Sequence, residues 1–152
     1  MKRIILLVAV LLAAPAYAAL MPGDIVDDVD YVGLYGYNVL VSWDGWTQPK
    51  NVGAGIYKIT TNAGAYNSFC IDLAQNVPAG VDGYLVTELE DAPSPDPTGD
   101  VPADGMGADR AYDLALLWGS YYDEGMSKDE AAAFQLAVWE IVFETDSYSL
   151  SN

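Results

Sequence analysis

Hydrophobic and polar positions change their period along this chain. Between Tyr31 and Leu89 the apolar residues alternate with polar ones in short runs separated by turn signals. Tyr37 to Trp43 (YNVLVSW) runs into Asp44-Gly45, and residues 55–61 and 65–73 flank Asn62-Ala63-Gly64, so two hairpins are predicted. A further strand, Tyr84 to Leu89, follows Asp82-Gly83. From 90 to 107 the composition turns to Pro, Asp and Gly, which supports neither a strand ladder nor a helix and predicts a long surface loop.

Beyond that loop the period becomes helical. Ala108 to Asp123 carries Ala111, Leu114, Ala115, Trp118 and Tyr122 at three- and four-residue spacing. Ser127 to Glu130 forms a capping box ahead of a second helix. Strands followed by helices point to an α+β domain, and no internal repeat is present. At 152 residues with 52% hydrophobic content, the chain has room for one domain with a real core.

The second helix poses a packing problem. At about 100° per residue, Ala131, Ala132, Val138, Trp139 and Val142 all fall within roughly 60° of Gln135, while Glu130, Glu140 and Glu144 lie opposite. A carboxamide therefore sits in the middle of the apolar face. Burying it unpartnered costs about 1–3 kcal/mol, so it must be hydrogen-bonded or chemically changed. A core glutamine bonded to a strand edge answers the first requirement.

Composition and charge narrow the setting. Lys2 and Arg3 precede the apolar run Ile4 to Ala14, and Ala16-Tyr17-Ala18 offers small residues for cleavage, so residues 1–18 read as a secretory signal peptide. A retained N-terminal anchor helix is the alternative. The run is too short to span a bilayer, and no later segment is longer. Loss of Lys2 and Arg3 takes the formal charge from −16 to −18 and leaves Lys50, Lys58, Arg110 and Lys128 against 22 acidic residues. Such a surface repels nucleic acid and anionic lipid. Calcium is weakly supported: neither the 90–107 loop nor Asp27-Asp28-Val29-Asp30 has EF-hand spacing, and no metal or other cofactor is expected.

Cys70 is the chain's single cysteine, and there is no histidine. An exported lone cysteine is buried and inert, reserved for another chain, or used chemically. The absence of histidine removes the usual base of Ser and Cys hydrolases, and an enzyme with turnover is not expected. If residues 65–73 continue as a strand, Phe69, Ile71 and Leu73 face one side while Ser68, Cys70 and Asp72 face the other. A closing helix packed across that second side would bring Cys70 to Gln135.

Phe69-Cys70-Ile71-Asp72, followed by Ala133-Phe-Gln-Leu-Ala-Val-Trp-Glu-Ile141, resembles the bacterial thioester domains. Their signatures are an aromatic-Cys-aliphatic-Asp strand and a helix reading Gln-x-Ala-aliphatic-Trp. The helix is also similar to that of exported bacterial proteins ending in a PEP-CTERM sorting tail. The resemblance covers roughly residues 31–144, and departs from the family where Phe134 stands in place of a common Thr before Gln135. It implies an internal thioester between Cys70 and Gln135, with Phe69, Asp72, Ala131, Val138 and Trp139 as supporting residues. It also implies covalent, single-turnover capture of an amine-bearing surface protein or polymer by an exported, adhesin-like monomer.

The resulting expectation is an antiparallel β-sandwich or barrel-like sheet, with a two-helix subdomain packed against the Cys-bearing strand. Residues 19–30 form a lead-in, 31–147 the domain, and 148–152 the start of a C-terminal continuation. Asp72 would orient the site or remain an exposed strand carboxylate; Trp139 would shield the bond or serve as a core aromatic. Two other readings stand beside capture: an exported matrix protein of the same fold with no thioester formed, and a carbohydrate-binding module using Trp43, Trp46 and surface tyrosines.

Overall fold

A computed structural model of the chain describes residues 20–42, 47–73, 82–92 and 105–143. The signal-peptide reading, Trp43, Trp46, the Asp44-Gly45 turn, most of the 90–107 loop and residues 148–152 lie outside them. Within the described residues the fold is α+β, with two antiparallel sheets and two helices.

Strands β2 (Asp30–Val41) and β3 (Lys50–Thr61) pair from Asp30 opposite Thr60 to Val41 opposite Lys50, with one irregularity between Tyr31 and Gly33. Their middle is held by a glycine pair, Gly36 opposite Gly55. A Cβ on Gly36 would run into the carbonyl oxygen of Ala54, and Gly55 adopts φ 145°, a value that favours glycine. Strand β4 (Gly64–Ser68) completes this sheet beyond β3 through a turn at Asn62-Ala63.

A second, two-stranded sheet pairs β1 (Ile25–Val26) with β5 (Tyr84–Leu85) over a small core of Val26, Val29, Tyr84 and Val86. The acidic run 27–30 serves here as a clip. Asp27 accepts from the Gly83 amide at 2.8 Å, and the Asp28 amide donates to the Asp82 carboxylate at 3.1 Å. The strand expected over 84–89 stops after Leu85, and Leu89–Asp91 forms a 3-10 turn. The ends of the acidic loop are then tied together: the Met106 and Gly107 amides donate to the Ala92 and Glu90 carbonyls at 2.7 and 3.0 Å.

Helices α1 (Ala108–Tyr121) and α2 (Lys128–Phe143) follow. α1 ends before the expected Asp123 because Tyr122 is already extended, at φ −74° and ψ 130°. Leu117 packs against the core while Ala115 faces out, a rotation of the expected inner face. The capping box at α2 is present in full. The Ser127 amide donates to Glu130 Oε2 at 2.7 Å, and the Glu130 amide donates to Ser127 Oγ at 3.3 Å.

α2 packs across β2 and β3, which bear most of its buried face. The main core gathers Ile56, Phe69, Leu114, Phe134, Val138 and Val142 between sheet and helices. Two expectations are corrected. The three-stranded sheet, ordered β2-β3-β4, is open rather than a closed barrel. The cysteine is not on a strand either, since β4 ends at Ser68 and residues 69–72 are irregular. No helix among the described residues is long and apolar enough to cross a membrane.

Candidate functional site

The site grows from the place where β4 gives way to irregular chain. Past Ser68 the backbone no longer follows the sheet, and its polar groups need other partners. Phe69 turns into the main core at 6% exposure, against the rings of Phe134, Trp118 and Tyr122 at centroid distances of 4.6, 5.5 and 6.2 Å. Cys70 turns the opposite way, toward a smaller cluster built on Ala54, Ala132 and Trp139. The alternation expected over 69–71 thus survives without the strand, because Ile71 joins the Phe69 side. It fails at Leu73, which joins the side of Cys70.

Gln135 meets this segment from α2. The residue is fully buried, at 0% exposure, among Ala131, Ala132, Val138, Trp139 and Val142. Its Oε1 accepts from the Cys70 amide at 2.8 Å, and its Nε2 donates to the Cys70 carbonyl at 2.7 Å. The side chain thereby replaces the ladder partner that β4 lacks beyond Ser68. The arrangement also fixes which amide end is which, because a flipped carboxamide would set donor against donor and acceptor against acceptor.

Close approach of helix and sheet depends on small residues. Ala54 on β3 and Ala132 on α2 are both buried in the cluster that also holds Trp139. The Gly53-Ala54-Gly55 run and the Ala131-Ala132-Ala133 run are the signal of that approach in the chain.

The thiol is protonated at rest. Cys70 Sγ donates to the main-chain carbonyl of Asp72 at 3.0 Å. Burial pushes its pKa up to about 11, opposed by hydrogen bonding from the Asp72 backbone and the Trp139 side chain, while the Asp72 charge adds to the rise. Asp72 therefore acts on the sulfur through its backbone and its field, and it is half-buried on irregular chain instead of exposed on a strand. Tyr57 of β3 lies near enough to feel the thiol; its hydroxyl donates to the Gly53 carbonyl at 2.7 Å, and burial raises its pKa.

Of the residues singled out in the sequence, Cys70 and Trp139 share the smaller cluster, and Gln135 bonds to the Cys70 backbone. Phe69, Ala131 and Val138 pack together in the main core. An open groove of about 650 Å³ between α1 and α2, lined by Leu117, Tyr121, Met126, Glu130 and Phe134, contains neither Cys70 nor Gln135. No group of three or more metal-ligating side chains occurs among the described residues.

Chemically, the arrangement holds a carboxamide against the backbone of a nucleophile-bearing residue. The amide donor on Oε1 is the one that would stabilise negative charge on that oxygen, as the nucleophile's own amide does in serine proteases. Comparisons of the chain with protein-family models, with curated proteins and with solved structures each find no match.

Proposed function

We propose that the chain is an exported bacterial surface protein whose Cys70 and Gln135 condense into an internal thioester that captures an amine-bearing surface protein or polymer. The observation that carries this reading is the reciprocal pair of hydrogen bonds between the Gln135 carboxamide and the Cys70 backbone.

In ring closure the Cys70 sulfur attacks Gln135 Cδ, the Cδ–Nε2 bond breaks, and ammonia departs with the proton that the thiol gave up. Oε1 carries the developing charge, toward the Cys70 amide that already donates to it. A thiol with pKa about 11 is ionised to only about one part in 10⁴ at pH 7. Effective molarities of about 10⁵ M for fixed neighbours offset that scarcity, so closure needs no histidine.

In capture, a partner amine attacks Cδ, the Cδ–Sγ bond breaks, and the proton lost by the amine goes to the sulfur. The products are an amide on Gln135 and a free Cys70 thiol, one event per molecule. Gln135 has no exposed surface, so bulk water is kept from the bond and an amine enters past the partly exposed Cys70.

The same hydrogen bonds also favour a second reading, in which the pair is purely structural. They satisfy the buried amide without covalent change, and the sulfur already has an acceptor in Asp72. Methylamine separates the two. On a thioester it adds about 31 Da, and peptide mapping finds N-methylglutamine at 135; on the structural pair it adds nothing.

A further inference from the structure

One polar group of the site is left unused by these hydrogen bonds. Trp139 lies one helical turn after Gln135, is 5% exposed, and packs in the cluster that Cys70 joins. Its Nε1–H has no hydrogen-bond partner among the described residues. Buried N–H groups are rarely left so, and an exception calls for a cause. Among that cluster's other side chains, which are otherwise aliphatic or phenyl, the sulfur of Cys70 is the one that carries lone pairs. A neutral thiol is a weak acceptor, whereas a thiolate is a strong one.

We infer that the Trp139 indole N–H is the donor that stabilises the Cys70 sulfur as a thiolate, first as nucleophile in thioester closure and then as leaving group in amine capture. This role rests on the thioester reading for its use, although the contact itself does not. At closure the sulfur holds negative charge until the Cδ–Sγ bond forms; at capture the electron pair of that bond returns to sulfur. In both steps the indole meets the charge without surrendering its proton, and the proton accounting given above is unchanged.

The thiol's ionisation is consistent with this geometry. The Asp72 backbone and Trp139 pull the pKa down against burial, while the Asp72 charge opposes them. Tyr57 on β3 is the other titratable group coupled to the thiol. The buried face of α2 offers only Ala131, Ala132, Gln135, Val138, Trp139 and their apolar neighbours, none of which titrates.

Trp139→Phe keeps an aromatic ring and removes the donor. After methylamine treatment Cys70 is a free thiol whether or not a thioester had formed, so its alkylation by iodoacetamide can be followed against pH in both proteins. The midpoint in Trp139→Phe is expected about one pH unit above wild type. In thioester-bearing protein, methylamine capture is expected to slow about tenfold or more. An unchanged alkylation midpoint in folded Trp139→Phe overturns the donor role; an absent mass deficit in wild type overturns the thioester reading instead. Should Trp139→Phe fail to fold, the Trp139 Nε1–H resonance of methylamine-treated wild type must shift with the thiol's titration, and a resonance indifferent to that titration overturns the proposal.

Discussion

Gln135 and Cys70 hold each other through two hydrogen bonds, side-chain carbonyl to main-chain amide at 2.8 Å and side-chain amide to main-chain carbonyl at 2.7 Å. The contact joins residues 65 apart in sequence and ties α2 to the chain leaving β4. It satisfies a carboxamide with no exposed surface and sets its carbon beside the residue that bears the thiol.

Removing the carboxamide should be costly. Gln135→Ala strips partners from the Cys70 amide and carbonyl and opens a cavity, and is expected to lower stability by about 2–4 kcal/mol. Denaturant unfolding checks this as a lower midpoint at constant slope. Gln135→Glu is the sharper variant. A carboxylate oxygen would oppose the Cys70 carbonyl, so the folded state should raise the Glu pKa. Stability is then fully present at low pH, below the unfolded carboxyl's pKa, and is lost as pH rises through the raised value.

The free thiol should be slow to react at neutral pH. With a pKa pushed to about 11, alkylation of Cys70 in protein lacking a thioester is expected to rise about tenfold per pH unit from pH 7 to near 10. The native state holds this proton more tightly than the unfolded chain does. Its contribution to stability is therefore complete below the unfolded thiol's pKa and is lost as pH rises toward about 11, an effect that Cys70→Ala removes. A midpoint near the ordinary thiol value would contradict the burial of the sulfur.

The glycine pair supporting the site should be equally specific. Gly36→Ala drives a methyl into the Ala54 carbonyl and is expected to destabilise by about 2 kcal/mol or more. Gly33→Ala, on the same strand, meets nothing within 4 Å and should be close to neutral. Thermal unfolding of the two variants side by side tests the difference.

What the sequence made legible depended on local signals. The capping box at Ser127 and Glu130 marks the start of α2, and helical spacing puts Gln135 on the buried face, because both are set by residues within one or two turns. The N-terminal half of β2 was hidden: Gly33 and Gly36 weaken a strand pattern, and only the facing Gly55 explains why Gly36 belongs there. The strand drawn through Cys70 was wrong for a related reason. Alternation in Phe69, Cys70 and Ile71 reports which way side chains point, and it cannot reveal that the backbone partner is a glutamine side chain from a helix. The same limit hid the roles of Trp118 and Tyr122, whose rings pack on Phe69 from α1 and its C-terminal end.

The most direct test is the intact mass of the folded protein purified without amine buffers, beside Cys70→Ala. Wild type is expected to be about 17 Da lighter than its sequence, through loss of ammonia, and Cys70→Ala to show no deficit. A wild-type mass equal to that of the plain sequence, unaltered by methylamine, would contradict the thioester and leave Gln135 and Cys70 as a hydrogen-bonded structural pair.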